Sequence, residues 1–170
     1  AGIRVGCTGI INYVQATERM AELALAKQPE SKVSLGDAFI HAQQEGGISV
    51  IKTEKTSHKA KHMIYCGGLQ SDRLAKKDGV ELDMQIVGFR GDYYELNEQG
   101  KHKVKHLIYP VPNPAFPFLG VHFTRMTDGE IECGPNAVFT FKREGYGKTD
   151  FDLKDTADAL SYSGTWKLFA

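Results

Sequence analysis

The chain has 170 residues, with 21 Lys and Arg against 21 Asp and Glu, so its formal net charge is zero. That balance excludes the basic excess with which nucleic-acid-binding domains displace counterions from phosphate. An apolar share of 41% beside a charged share of 25% excludes a disordered tail or a collagen-like repeat.

The sequence opens on Ala1-Gly2-Ile3-Arg4-Val5, without an initiator Met. No basic leader followed by an apolar stretch is read, nor a run of about 18 apolar residues, so no signal peptide or transmembrane segment is expected. Asn12, with Gln15 three positions on, has the spacing of a capping box. Tyr13, Met20, Leu23 and Leu25 follow on a broadly helical apolar pattern, which predicts a helix over 13–27, and Pro29 stands just past its end. β-prone runs come next at 33–35, at 48–51 after the Gly46-Gly47 turn, and at 63–66. Gly67-Gly68 stops the last of these, and Ser71 or Asp72 is expected to cap a short helix over 72–77 ending at Gly79.

Past residue 80 the pattern changes. Short strands are predicted at 86–89, 93–96, 107–109, 120–124, 130–133 and 137–141, separated by Gly, Pro, Asn and Asp, which favours antiparallel pairing over βαβ units. Within 120–124, Val121 and Phe123 alternate with His122 and Thr124, predicting one packed and one polar face. Leu153, Ala157, Leu160 and Trp166 are near helical spacing over 153–169, with Ser163-Gly164 as the breaking point. The expected fold is α+β: a mainly antiparallel or mixed β-sheet with helices packed on one side. It is expected as one compact unit over 1–170, with helix and strands in 1–79 and the sheet and C-terminal helix in 80–170.

His58-Lys-Ala-Lys-His62 and His102-Lys-Val-Lys-His106 have the four-residue spacing that lets two histidines grip one ion on a helix. Both lead into strand-like runs, and in a strand four residues span about 13 Å, too far for one metal. They read as charged edges that protect strands, and no metal site is expected. The basic stretch 101–105 is short and has no aromatic stacking platform for nucleic acid. Gly145-Tyr-Gly147-Lys-Thr149 is not a phosphate loop, because Lys142 stands where that loop needs its first glycine. Cys7, Cys66 and Cys133 are an odd number at unrelated spacings, which fits a reducing, cytoplasmic setting, and they read as buried small apolar residues. More informative are Arg90, Tyr93, Tyr94, Tyr109, His122, Arg125, Lys142 and Arg143, spread among strand residues and turns. Arg and Lys clamp carboxylates, Tyr donates to oxyanions and His takes a hydroxyl proton, so the tract suits a small-acid site; surface charge and core tyrosine are the alternative.

The tracts Tyr65-Cys-Gly-Gly-Leu-Gln-Ser-Asp-Arg-Leu74, Phe89-Arg-Gly-Asp-Tyr-Tyr94, Tyr109-Pro-Val-Pro-Asn-Pro114, Phe118-Leu-Gly-Val-His-Phe-Thr124, Gly134-Pro-Asn-Ala137 and Phe141-Lys-Arg-Glu-Gly-Tyr146 resemble the L-2-hydroxyglutarate oxidase/dehydrogenase family. That family belongs to the FAD-dependent, amino-acid-oxidase-like oxidoreductases. The resemblance runs in order from Thr8-Gly-Ile-Ile-Asn-Tyr13 to Ser161-Tyr-Ser-Gly-Thr-Trp166. The family's opening glycine-rich FAD turn and its closing FAD-domain segment have no counterpart here. The resemblance therefore implies a central fragment, the substrate domain with bordering FAD-domain strands, whose partners are the FAD-binding segments of the same protein and which alone holds FAD weakly.

The resemblance also implies oxidation of L-2-hydroxyglutarate to 2-oxoglutarate by hydride transfer to flavin. A related flavoenzyme for another 2-hydroxy acid or an amino acid, or a non-catalytic dicarboxylate-binding module, are the alternatives. Arg125 and Tyr94 are expected as carboxylate partners together with Tyr109, and Lys142 and Arg143 as anchors for the distal carboxylate. His122 is the local choice for the base, against a satisfied core histidine or a base outside this chain. Gly67 and Gly68 would let the backbone approach FAD without a Cβ clash, and Phe39 would pack near the adenine. Oxygen and a membrane quinone stay open as electron acceptors, the latter implying a peripheral membrane location. Apolar surface left by absent segments predicts self-association.

Overall fold

The computed structural model describes residues 2–111 and 120–169; residues 112–119, which include the end of the tract 109–114 and the start of the tract 118–124, lie outside the described residues. In chain order the elements are α1 (Tyr13–Lys27), β1 (Phe39–Glu45), β2 (Ile48–Thr53), β3 (Ser57–Ala60), a 3-10 turn (Gly68–Gln70), α2 (Ser71–Lys77) and β4 (Phe89–Arg90). Then come β5 (Tyr94–Glu95), α3 (Glu98–Lys101), β6 (His122–Arg125), β7 (Ile131–Gly134), β8 (Val138–Phe139), α4 (Leu153–Ser161) and α5 (Ser163–Phe169). Helices and antiparallel sheets coexist as an α+β fold requires, but among the described residues the strands divide into three small sheets instead of one. The chain also divides into two compact units, 1–33 with 91–138 and 34–90 with 139–170. The boundary expected at 79/80 falls inside the second of these.

In the first unit, α1 forms where predicted. The Asn12 side chain accepts from the amides of Val14 (3.0 Å) and Gln15 (3.2 Å), satisfying two donors that the helix cannot pair internally. None of the residues of α1 is buried. The functional core of the unit is a three-stranded antiparallel sheet in the order β5-β7-β6. Its register pairs Tyr94 with Cys133, Glu95 with Glu132, His122 with Gly134, Phe123 with Cys133 and Arg125 with Ile131. Ile108 adds a bridge on the far side of β6, exchanging backbone hydrogen bonds with Phe123 at 3.0 and 2.9 Å. Ile131 is fully buried and Val104 nearly so, which marks their side as the packed one.

In the second unit, β1, β2 and β3 form an antiparallel meander around the Gly46-Gly47 turn, both glycines at positive φ as a tight hairpin demands. The runs 33–35 and 63–66 are not strands. The hairpin recruits the polar run of β1 instead, because pairing with β2 supplies the ladder that intrinsic propensity does not. His58 lies in β3 and His62 beyond it. Neither Ser71 nor Asp72 caps α2: the cap position is Gln70, without a side-chain bond, and Asp72 turns into the interior. At the other end Gly79, at φ 81°, lets Val80 bond back to Ala75 and Gly79 to Lys76, closing the helix as a Schellman motif. The C-terminal segment breaks into α4 and α5 at Tyr162, one residue before the predicted point. Cys7 and Cys66 are exposed and Cys133 is half-buried, which corrects their reading as buried apolar residues. Among the described residues no helix is long and apolar enough to cross a membrane.

Candidate functional site

Antiparallel partners share a face of a sheet, and successive residues alternate between faces. The register therefore sorts the first unit's candidate residues. Tyr94, Cys133 and Phe123 form one row and Arg125 with Ile131 another, all on the face that carries the buried Ile131, with Tyr94 at its exposed edge. His122 and Gly134 lie on the opposite face. One register step on from Tyr94 and Cys133 brings Tyr93 beside Gly134. One step on from the Ile108–Phe123 bridge brings Tyr109 beside His122. The row thus reads Tyr93, Gly134, His122, Tyr109 across four chain segments.

The side chains follow that row. The His122 ring stacks on Tyr109 with centroids 4.6 Å apart at 23°, and meets Tyr93 edge-on at 6.2 Å and 72°. Its Nδ1 lies 3.0 Å from the carbonyl oxygen of Gly120. A carbonyl only accepts, so Nδ1 carries the proton, and in the neutral ring Nε2 holds the lone pair. Burial pushes the Tyr93 hydroxyl above its ordinary value, and Glu132 and Tyr109 push it the same way, so Tyr93 is a protonated phenol near neutral pH.

The other predicted residues lie elsewhere. Tyr94 and Arg125 share the face opposite His122, so of the three expected carboxylate partners the sheet brings only Tyr109 to His122. Tyr94 is 77% exposed, whereas Arg125 donates to the Val104 carbonyl at 2.8 Å and ties the segment after α3 to the sheet. Lys142 is an exposed side chain of the second unit. Arg143 has a different task from the one expected. It is buried, contacts Asp72 through both terminal nitrogens, and donates to the carbonyls of Leu69 and Ile86 at 3.0 Å each. With its donors turned inward, it is an internal strut and not an anchor for a ligand carboxylate.

In the second unit, Gly67 and Gly68 differ. A Cβ on Gly67 would meet Leu74 Cδ1 at 2.2 Å, so that glycine serves the packing of α2. Gly68 is left-handed at φ 51°, with open space where a Cβ would stand. Phe39 packs edge-on against Tyr65, with centroids 5.5 Å apart, and Lys77 Nζ sits 5.5 Å from its ring centre.

Against known proteins, the model of the family described as FAD dependent oxidoreductase matches residues 1–163. The chain belongs to the FAD-dependent oxidoreductase family. It is 44% identical over 169 residues to the L-2-hydroxyglutarate dehydrogenase of Indibacter alkaliphilus, covering 99% of this chain and 42% of that protein. The mitochondrial L-2-hydroxyglutarate dehydrogenases of Nematostella vectensis and Caenorhabditis elegans are 51% and 52% identical, each over 95% of this chain and 38% of the relative. The chain thus spans about two fifths of the length of these relatives.

For a member of an FAD-dependent family, the observation that bears on cofactor fit is Gly68, whose backbone has open space where a Cβ would stand, while Gly67 and Phe39 are engaged within the unit. Asp72, four residues on, presents no uncompensated negative charge to a ligand there, because Arg143 neutralises it. Sequence reading named Tyr93 only as one of the small-acid tract and did not single out Gly134, although both lie in the His122 row. A glycine within a strand run is the signal for them, since it marks a close approach of another group.

Proposed function

We propose that this chain is the substrate-facing part of an FAD-dependent oxidoreductase that converts L-2-hydroxyglutarate to 2-oxoglutarate. The observation that carries the reading is the near-complete match of the chain to proteins named L-2-hydroxyglutarate dehydrogenase from a bacterium and two animals. Oxidising a 2-hydroxy acid removes a proton from the hydroxyl and a hydride from C2, leaving a carbonyl. Bound FAD supplies the two-electron acceptor, and the protein supplies position and the proton site.

His122 suits the proton site. Its Nδ1–H bond to Gly120 fixes the tautomer in which Nε2 is basic, and the stack on Tyr109 fixes the ring plane. Tyr109, stacked on the imidazole, carries the hydroxyl assigned to a substrate carboxylate oxygen. Gly68 is assigned to the backbone approach of FAD. Tyr94 and Arg125, on the opposite face, are assigned no contact with the substrate that His122 serves.

The test uses the full-length protein loaded with FAD, mixed anaerobically with L-2-hydroxyglutarate, its D-enantiomer, L-lactate and L-glutamate. Rapid bleaching of the flavin by L-2-hydroxyglutarate alone is the expected result. A flavin that stays oxidised with this compound but bleaches with another of the panel overturns the substrate assignment. His122→Gln is expected to lower kcat by about 100-fold or more, the usual contribution of a positioned base.

A further inference from the structure

The row across the sheet holds one residue without a side chain, Gly134, directly opposite His122. A Cβ there would stand 2.8 Å from Tyr93 Cδ1, 3.0 Å from Tyr93 Cγ and 2.9 Å from the Asp92 carbonyl. The Tyr93 ring therefore leans into the place that any other residue would fill, and its lean gives it the edge contact with His122. Gly91 borders the same ring from the other side: a Cβ there would lie 3.5 Å from Tyr93 Cε2 and 2.5 Å from Pro135 Cβ. The imidazole is then held on three sides, by the Tyr93 edge, by the Tyr109 face and by the Gly120 carbonyl on Nδ1.

We propose that Tyr93 is a positioning residue for the reaction and Gly134 the device that admits it: together they hold the His122 ring so that Nε2 presents its lone pair in one fixed direction. The inference rests on the reading of His122 as the proton acceptor, and it goes beyond that reading by naming what orients the acceptor. A histidine ring has two side-chain torsions. The bond from Nδ1 selects the flip and the tautomer of the ring, but a single hydrogen bond does not hold the ring in place, and a ring free to swing away from the Gly120 carbonyl loses both. The two aromatic contacts remove that freedom, one along the ring face and one at its edge. Reach and angle of a base strongly affect rate, because the reacting atoms must be held in line. The Tyr93 hydroxyl has no part in this device, so phenylalanine should serve as well.

The experiment compares Tyr93→Ala, Tyr93→Phe, Gly134→Ala and His122→Gln in the full-length, FAD-loaded protein, with two independent readouts. One is the pH profile of kcat and KM. The other is the nitrogen spectrum of imidazole-labelled His122, which reports the tautomer without any turnover. In the native protein His122 should read as a single Nδ1–H tautomer. Tyr93→Ala should lower kcat by about tenfold with KM changed less than about twofold, and should mix the two tautomers; Tyr93→Phe should restore both to within about threefold. Gly134→Ala should resemble Tyr93→Ala; if that variant does not fold, the Tyr93 pair decides alone. A native-like tautomer and kcat in Tyr93→Ala overturn the proposal, as does an equal loss in Tyr93→Phe, which would make the hydroxyl a direct participant. A native kcat in His122→Gln sinks the proton-acceptor reading instead, while the tautomer spectrum of Tyr93→Ala still shows whether Tyr93 holds the ring.

Discussion

Arg143 contacts Asp72 through both terminal nitrogens, and the two residues are only 7% and 6% exposed. Removing one partner of a buried pair leaves an uncompensated charge, so Arg143→Ala is expected to cost about 3–5 kcal/mol, read as a lower urea midpoint. Burial alone would raise the Asp72 carboxyl, but the Arg143 guanidinium and the Ile86 amide outweigh it and hold it below the ordinary value. Its folded value lies under its unfolded one. The stabilisation is therefore present above about pH 3.9 and is lost as pH falls through the folded value. In Arg143→Ala the carboxyl loses that lowering partner, so the loss of stability on acidification should shrink and the gap to the native protein should narrow as pH falls below about 3.9.

The Glu95 and Glu130 carboxyls are coupled through a hydrogen bond that requires a proton on one of them. The hydrogen bond with Glu130 raises the Glu95 carboxyl, while Lys101, with its Nζ 2.5 Å from Glu130 Oε2, lowers that of Glu130. The Lys101 approach is an ion contact without hydrogen-bond geometry at Oε2. For Glu95 the folded value is the higher one, so its contribution is complete below about pH 4.3 and fades as pH rises through the folded value. Glu95→Gln keeps a donor and removes the titration. It should melt higher than the native protein at pH 7, with the difference vanishing towards pH 4; equal melting temperatures at pH 7 would refute the coupling.

Gly68→Ala meets no steric neighbour but must adopt φ 51°. The left-handed conformation costs a side chain about 1–2 kcal/mol, and Gly68→Asn should lose less. If FAD approaches this backbone, the full-length Gly68→Ala protein should also retain less flavin on gel filtration than Gly68→Asn of matched stability. Equal retention would remove Gly68 from the cofactor assignment.

Helix α1 leaves Tyr13 78% and Met20 64% exposed and buries none of its residues. An apolar stripe of this kind associates when nothing covers it. The 170-residue chain is expected to sediment above monomer mass at high concentration, and Met20→Lys should shift it towards monomer. A monomer at every concentration contradicts this.

The parts of this fold that were legible in the sequence are those set locally. Asn12 and the apolar spacing after it define α1 because a cap and a helical period act within four residues of each other. Gly79 ends α2 for the same reason. The strand β1 was not legible, since Phe-Ile-His-Ala-Gln-Gln-Glu has no alternation and becomes a strand only by pairing with β2. The alternation of His122 with Phe123 showed that the two face opposite ways. It gave no register, and register alone brings Tyr93 and Tyr109 to His122 and sends Tyr94 and Arg125 to the other side. Arg143 looked like a ligand anchor because a lone cation in a strand-rich tract shows no partner in sequence, and its partner lies 71 residues away.

The two units are interleaved along the chain: the second opens at residue 34, is interrupted by 91–138 and resumes at 139. Several of its side-chain struts bridge that interruption: Arg143 to Asp72, Arg73 to Asp155 and Asp158, and Gln85 to the Asp158 carbonyl. During synthesis, residues 34–90 emerge long before these counterparts exist. Closing so long a loop has an entropic cost that only the completed contacts offset. The packing of α2 and of Gln85 against the C-terminal segment is thus completed only after translation has passed residue 158, with Asp72 and Arg73 waiting unneutralised until then, whereas β1, β2 and β3 pair within 39–60. A ribosome stalled before that point should carry a nascent chain whose residues 71–90 are protease-sensitive, and this late step makes the order of synthesis part of how the molecule reaches its structure.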